Sequence, residues 1–191
     1  MTYDYYYDYY MVIDLEATCA NDGSLSKEDM ETIEIGAVMV EAKSLKKISE
    51  FQAFIKPILH PKLSVFCTLL TSISQQDIDN AASFREVFAS FYAWHECYPT
   101  ALFSSWGDYD RKQFRLDCVR HNISYPFKDH LNLKKQFAEK QGLARACDLA
   151  SALNYAHLPL LGKHHRGIDD ARNMVHLLDF IVGEKKIAAR P

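Results

Sequence analysis

Two acids that could take part in chemistry, Asp14 and Glu16, stand at the end of an apolar run. On a β-strand, residues i and i+2 point to the same face, so both carboxylates are expected to project together. Carboxylate oxygens are the ligands that hard divalent ions such as Mg²⁺ and Mn²⁺ prefer. A solvated pair at a strand end is the alternative for Asp-x-Glu alone. A central strand, however, rarely carries two acids without a partner or a metal.

A second acidic segment, residues 104–110 (Ser-Ser-Trp-Gly-Asp-Tyr-Asp), ends an apolar strand and opens a helix. Asp108 or Asp110 could supply a further metal ligand. Either acid could equally cap the helix without any chemical role. Taken alone, the segment leaves both the function and the choice of acid open.

A third segment places His165 five residues before Asp170, with Gly167 between them to let the chain turn. A loop histidine beside an acid in the first turn of a helix is a usual arrangement for a general base near a metal site. The alternative is structural. Asp169 or Asp170 could serve only the helix N-terminus, whose dipole favours negative charge, and the histidine could be a surface residue.

The strands and helices that must position these segments are predicted from two patterns, runs of strand-forming residues and apolar residues at helical spacing. Aromatic and β-branched runs predict strands at 9–15, 33–41, 48–55 and 101–106. Apolar residues at helical spacing, or capping residues, predict helices at 64–70, 74–80, 83–98, 110–121, 132–142, 146–155 and 169–182. Three strands, then helices, a strand and more helices predict an α/β fold with a mixed sheet covered by helices.

The chain length of 191 residues favours one domain, residues 1–191, with a core at about 9–183 and a Tyr-rich lead-in at 1–8. The 48% hydrophobic and 25% charged fractions are ordinary for a globular protein. A formal net charge of −3 counts against a protein that holds nucleic acid by bulk attraction. Contacts with a polyanion are therefore expected to be local, or to involve bound cations.

The five cysteines contain no C-x-x-C motif and are expected to be reduced, in an intracellular, cytoplasmic protein: Cys19, Cys67, Cys97, Cys118 and Cys147. The N-terminal segment has no basic residue and no apolar stretch, so it does not resemble a signal peptide. No stretch approaches the roughly 20 apolar residues of a membrane span, and no membrane partner is expected.

The three segments together indicate a particular class of protein more specifically than any one of them does alone. The set Asp14-x-Glu16, Asp110 and His165-x4-Asp170 resembles the three motifs of the DEDDh 3′→5′ exonucleases. Residues 13–19, 34–38, 63–74, 125–127 and 165–173 resemble the Eri1-like, or 3′hExo-like, RNA exonuclease subgroup of that family. The resemblance extends from Tyr9 to about Ile181.

The resemblance implies a ribonuclease-H-like fold with about five strands, the first three antiparallel. It also implies that Asp14, Glu16, Asp110 and Asp170 bind two Mg²⁺ or Mn²⁺ ions, and that His165 is the general base. The family's second acid usually follows an aromatic or apolar residue. Tyr109-Asp110, with Phe114 one turn on, fits that pattern better than Asp108.

For the substrate, the resemblance implies single-stranded nucleic acid, RNA favoured over DNA, degraded from the 3′ end to 5′-mononucleotides. Ala17 and Thr18 would lie near the terminal sugar, and Leu70 to Ile73 would form an apolar wall for its base. Candidate phosphate contacts are Lys163, His164 and Arg166, although a solvated surface loop is the favoured alternative. Three alternatives stay open: a non-catalytic binder on the same fold, a nuclease that cuts internally, and a DNA proofreading or repair exonuclease.

Overall fold

A computed structural model describes residues 7–187, so most of the lead-in predicted for 1–8 lies outside the described residues. The fold is α/β, as predicted. The strands are β1 (Tyr9–Ala17), β2 (Thr32–Glu41), β3 (Lys47–Lys56), β4 (Ala82–Ser83), β5 (Ala101–Ser105) and β6 (His130–Asn132). The helices are α1 (Val65–Thr71), α2 (Gln75–Asp79), α3 (Phe84–Glu96), α4 (Tyr109–Arg120), α5 (Leu133–Gln141), α6 (Leu149–Tyr155) and α7 (Gly167–Ile181).

The six strands form one mixed sheet in the order β4-β3-β2-β1-β5-β6. The first three strands are antiparallel neighbours, as predicted, and β5 runs parallel to β1. The edge strands β4 and β6 were not predicted from the sequence. Strands of two and three residues are too short to show an alternating pattern, so only their pairing partners reveal them.

Strand β1 is the central element that carries the first acidic segment. Its alternate residues enter two different cores, because successive side chains of a strand point to opposite faces. Tyr10 and Val12 pack with α5, α6 and α7, whereas Met11 and Ile13 pack with α3 and α4. By the same alternation, Asp14 and Glu16 lie on the face that α7 covers.

On the other face, an aromatic cluster holds α4 against the sheet. Phe114 of α4 is completely buried, with its ring centroid 5.5 Å from that of Phe91 and 6.0 Å from that of Phe127. Phe84 and Phe103 pack against the same ring. Fully buried aromatic side chains contribute about 1.5–3 kcal/mol each. The cluster therefore fixes the helix whose first turn contains Asp110.

Two glycines allow α7 to approach the sheet more closely than any other residue type would. Gly36 of β2 lies opposite Asp14 of β1. A Cβ atom at Gly36 would stand 2.1 Å from the backbone carbon of Gly167 and 2.1 Å from the nitrogen of Ile168. A Cβ atom at Gly167 would stand 2.9 Å from the carbonyl oxygen of Asp14. This backbone contact brings the first turn of α7 beside the acids of β1.

Hydrogen-bond acceptors at the N-termini of α6 and α7 explain where these two helices begin. Helix α7 begins two residues before the predicted 169, because the Glu34 carboxylate accepts a hydrogen bond from the Gly167 nitrogen at 3.0 Å. Helix α6 begins three residues after the predicted 146, because Asp148 accepts from the Ser151 nitrogen at 2.8 Å. Among the described residues, no helix is long and apolar enough to cross a membrane.

We predict that Gly36→Ala destabilises the protein by about 3 kcal/mol, the upper end of the usual cost of overpacking, because backbone rather than a side chain must move. This corresponds to a melting temperature roughly 6–12 °C lower in a thermal scan. Gly142→Ala is the matched control. Its Cβ meets open space, and its φ of +66° costs only about 1–2 kcal/mol. Equal losses in the two variants would contradict the proposed close approach.

Candidate active site

Three of the predicted acids meet between β1 and α7. One carboxylate oxygen each from Asp14, Glu16 and Asp170 lies within 4.8 Å of the other two. Asp14 and Glu16 share one face of β1, and Asp170 is in the first turn of α7. Residues 154 or more positions apart in the chain thus form one acidic group, because the two glycines let the helix reach the strand.

Glu16 and Asp170 are buried and Asp14 is half-buried, which makes their charge costly. Burial, with the neighbouring Asp110, Glu16 and Asp170 carboxylates, raises the pKa of Asp14 well above its usual value. Burial, followed by Asp170, raises the pKa of Glu16 to about 9. Like charges that share a low-dielectric site oppose one another's ionisation. A bound cation would remove that opposition.

The donor set fits a hard divalent ion. All three groups offer oxygen, which Mg²⁺ and Mn²⁺ prefer, and none offers sulfur. The carboxylates project from a central strand and a packed helix, so their positions are set before a ligand arrives. Exposed acidic clusters are common without metals, but Glu16 and Asp170 are only 8% and 3% exposed.

The second acidic segment separates its two candidates clearly. Asp110 is 4% exposed and accepts a hydrogen bond from the Leu15 nitrogen at 3.0 Å, which places it directly beside the acids of β1. Burial raises its pKa to about 6 despite that hydrogen bond. The Asp108 side chain is 46% exposed and pairs with Arg111 at 2.9 Å on the surface. Asp110 lies outside the three-acid group but next to it, and the geometry favours it over Asp108.

The predicted general base lies next to Asp170. The His165 backbone nitrogen donates to Asp170 Oδ2 at 2.8 Å. The His165 backbone adopts a left-handed conformation with φ of +63°. Burial, followed by the neighbouring His164, lowers the pKa of the His165 imidazole. A neutral imidazole can accept a proton.

Side chains of α7 hold the loop that carries both histidines. The Asn173 side chain accepts from the Leu161 nitrogen and donates to the Leu161 carbonyl, both at 2.9 Å. Asp169 accepts from the Lys163 nitrogen at 3.0 Å. The loop is therefore fixed to the same helix that carries Asp170.

Glu34 is a positioning residue that the sequence reasoning did not single out. It is completely buried, and it accepts hydrogen bonds from the Gly167 nitrogen at 3.0 Å and from Arg166 Nε at 3.1 Å. The sequence suggested that Arg166 contacts a phosphate. In the structure its guanidinium is instead paired with Glu34. The available signal was an acid between Ile33 and Ile35 in an otherwise apolar strand.

The predicted substrate contacts remain predictions, with differing support. Ala17 is 5% exposed and Thr18 is 3% exposed, and the Thr18 hydroxyl already accepts from the Glu31 nitrogen at 3.0 Å. Leu70 is half-buried and accessible. Ile73 has no exposed surface, because it packs into the small core beneath α1, so its predicted contact has the least support.

Comparisons with known proteins agree with this geometry. A family model described as Exonuclease, RNase_T, matches residues 11–178. The chain is 29% identical over 184 residues to 3′-5′ exoribonuclease 1 of Homo sapiens, which covers 91% of this chain and 52% of that protein. It is 29% identical over 196 residues to the 3′-5′ exonuclease Snipper of Drosophila melanogaster, which covers 90% of this chain and 68% of that one.

Among solved structures, the nuclease domain of 3′hExo, a DEDDh family member bound to rAMP, matches with a TM-score of 0.80 and 27% identity. That match covers 95% of this chain and 97% of the other. The same likeness confirms the predicted ribonuclease-H-like fold. The chain spans about half the length of the mammalian exoribonucleases that it matches.

We predict that Mn²⁺ or Mg²⁺ raises the melting temperature of the EDTA-treated protein. An ion at 100 times its dissociation constant stabilises by about 2.7 kcal/mol, or roughly 5–10 °C for a chain of this size. In Asp14→Asn the shift is expected to be largely lost. The metal-free variant should melt no lower than the wild type, since one repelling charge is gone. Asp108→Asn, the surface control, should keep the full shift. An undiminished shift in Asp14→Asn would place the ion elsewhere.

Proposed function

The chain belongs to the exonuclease family, and on that premise we propose that it is a metal-dependent 3′→5′ exonuclease. It hydrolyses phosphodiester bonds at the 3′ end of single-stranded nucleic acid and releases 5′-mononucleotides. The observation that carries the proposal is the convergence of Asp14, Glu16 and Asp170 directly beside His165. Metal-dependent hydrolysis of a phosphodiester uses both components, a place for cations and a base for water.

In this proposal, Asp14, Glu16 and Asp170 hold one Mg²⁺ or Mn²⁺ ion, and Asp14 with Asp110 holds a second. Bound by these carboxylates, the two ions would supply activation of a water molecule and neutralisation of charge on the phosphate. The four carboxylates hold their positions through β1, α4 and α7. The Leu15 nitrogen orients Asp110, and the His165 nitrogen orients Asp170.

His165 removes the proton from the attacking water through an unprotonated imidazole nitrogen. General-base catalysis of this kind contributes typically 10²–10⁴-fold. The anchored loop keeps the ring beside Asp170, so the base and the acids share one frame. Glu34 supports this frame from beneath, since it holds both the N-terminus of α7 and Arg166.

RNA is the favoured substrate, because the curated relatives include proteins named 3′-5′ exoribonuclease 1 and the 3′hExo nuclease domain was solved with rAMP. The net charge of −3 favours local contacts over a broad basic surface. We further propose that the chain acts as a single exonuclease domain. Its five free cysteines favour a reducing, cytoplasmic setting.

Two other functions compete with this proposal. A DNA-directed proofreading or repair exonuclease would use the same acids and histidine, and would differ in its treatment of the 2′-hydroxyl. A non-catalytic binder on the same fold is disfavoured, because all five candidate catalytic residues are present. An internal cutter is also disfavoured by the histidine five residues before the last acid.

The test incubates 5′-labelled RNA and DNA oligomers with Mg²⁺ or Mn²⁺, with and without EDTA. We expect a ladder that shortens from the 3′ end, faster on RNA, and that EDTA abolishes. Circular single strands are the control and should stay intact. Cleavage of circles would establish an internal cutter, faster loss of DNA would favour the repair enzyme, and binding without any ladder would favour the binder.

A pair of neighbouring substitutions tests the second acid. We predict that Asp110→Asn lowers the initial rate about 10³-fold, equivalent to about 4 kcal/mol of transition-state stabilisation. Asp108→Asn removes only an exposed partner of Arg111 and should stay within about threefold of the wild type. The reverse ranking would assign the role to Asp108.

A further inference from the structure

His164 occupies a position that the proposed hydrolysis does not explain. Its Nδ1 atom lies 2.9 Å from Asp170 Oδ2 and 3.0 Å from Asp170 Oδ1. Its ring stacks on that of His165, with centroids 4.0 Å apart and planes inclined at 25°. The side chain is 37% exposed, so it remains accessible to solvent on the outer side of the acidic group.

His164, His165 and Asp170 together form a second group of metal-ligating atoms. One imidazole nitrogen from each histidine and one Asp170 oxygen all lie within 4.8 Å of each other. Zinc bonds to imidazole nitrogen and carboxylate oxygen are about 2.0–2.2 Å, so the three ligand atoms would have to draw closer together around a bound ion. Three protein ligands with a remaining open position form a common arrangement around such ions.

The two groups differ in the ions they suit. The Asp14 group offers oxygen alone, which favours Mg²⁺ and Mn²⁺, whereas two imidazoles favour Zn²⁺ and its neighbours in the first transition row. Asp170 belongs to both groups. The two sites are therefore adjacent, chemically distinct and linked through one carboxylate.

We propose that His164, His165 and Asp170 form a binding site for Zn²⁺ or a similar transition-metal ion, adjacent to the acidic site and sharing Asp170 with it. If His165 is the general base, as the proposed function requires, an ion on its imidazole nitrogen stops it from accepting a proton. Zinc then inhibits hydrolysis even when Mg²⁺ is abundant. This inhibitory effect rests on the proposed function, whereas the binding site does not.

The simpler role for His164 is to orient Asp170 by a hydrogen bond. The substitution His164→Gln separates the two roles, because an amide can still donate to the carboxylate but is a far weaker ligand for zinc. His176→Gln is the matched control, since His176 is an exposed histidine on the outer face of α7.

Binding is measured with Co²⁺, a spectroscopic substitute for Zn²⁺, on the full chain in excess Mg²⁺. We expect one equivalent to give visible absorption bands of imidazole coordination that Zn²⁺ displaces. The affinity should fall at least tenfold in His164→Gln, since loss of an outer-shell partner alone costs about 10–100-fold, and stay unchanged in His176→Gln. Equal affinity in wild type and His164→Gln would overturn the proposed site.

Inhibition is then measured by titrating Zn²⁺ into the Mg²⁺-supported reaction, with each variant compared with its own zinc-free rate. His164→Gln should need about tenfold more Zn²⁺ for half-inhibition than the wild type or His176→Gln. Equal inhibition of all three would show that zinc acts through the Asp14 group, which overturns the inhibitory role. Co²⁺ binding that depends on His164, in a chain without any hydrolysis, would support the site and refute the proposed function.

Discussion

Burial of mutually repelling carboxylates between β1 and α7 is the constraint on which the site depends. Three free carboxylates in water would move apart, but Asp14, Glu16 and Asp170 are held together by the packing of α7 against β1 and β2. The first turn of α7 rests on Gly36 with no room for a side chain between them. The Glu34 carboxylate holds the Gly167 nitrogen at 3.0 Å from within the sheet. The fold thus maintains an arrangement that is unfavourable without a cation, and that is the property of a preformed metal site.

The rest of the molecule is arranged to resist that repulsion. Strand β1 is buried on both faces, so it cannot shift without opening two cores. The aromatic cluster around Phe114 fixes α4, and with it Asp110. Asn173 and Asp169 tie the histidine loop to α7. Hydrophobic packing and hydrogen bonds away from the site therefore offset the electrostatic cost of bringing its carboxylates together.

The sequence alone predicted the features that depend on one element at a time. Asp14 and Glu16 share a face because a strand has a period of two, and Asp170 stands in the first turn of a helix whose apolar pattern is plain. The acidic group itself required a resemblance to a known family, because spacing along the chain does not say which elements meet. The same limit explains the unpredicted edge strands.

Glu34 and Arg166 show where such reasoning fails. An arginine beside two histidines suggested a phosphate contact, yet its guanidinium lies against a buried glutamate 132 residues earlier. The pairing depends on where the N-terminus of α7 packs against β2. That position is set by the tertiary fold and is not visible in the sequence. The burial of Ile73 was likewise not predictable from the sequence, since it depends on packing with Ile33 of β2 and Cys67 of α1.

Asp170 links the acids to the histidine loop, and this link has a chemical consequence. Its Oδ2 atom accepts from the His165 nitrogen and contacts His164 Nδ1, so one oxygen already serves the loop. A cation held by Asp14 and Glu16 would draw on the same carboxylate and weaken the charge available to those donors. Occupation of the acidic site and the position of the histidines would therefore be coupled through the Asp170 side chain. Because Asp170 stands on a helix whose first turn packs directly against β2 at Gly36, the coupling would act on the loop and its two imidazoles rather than on the sheet.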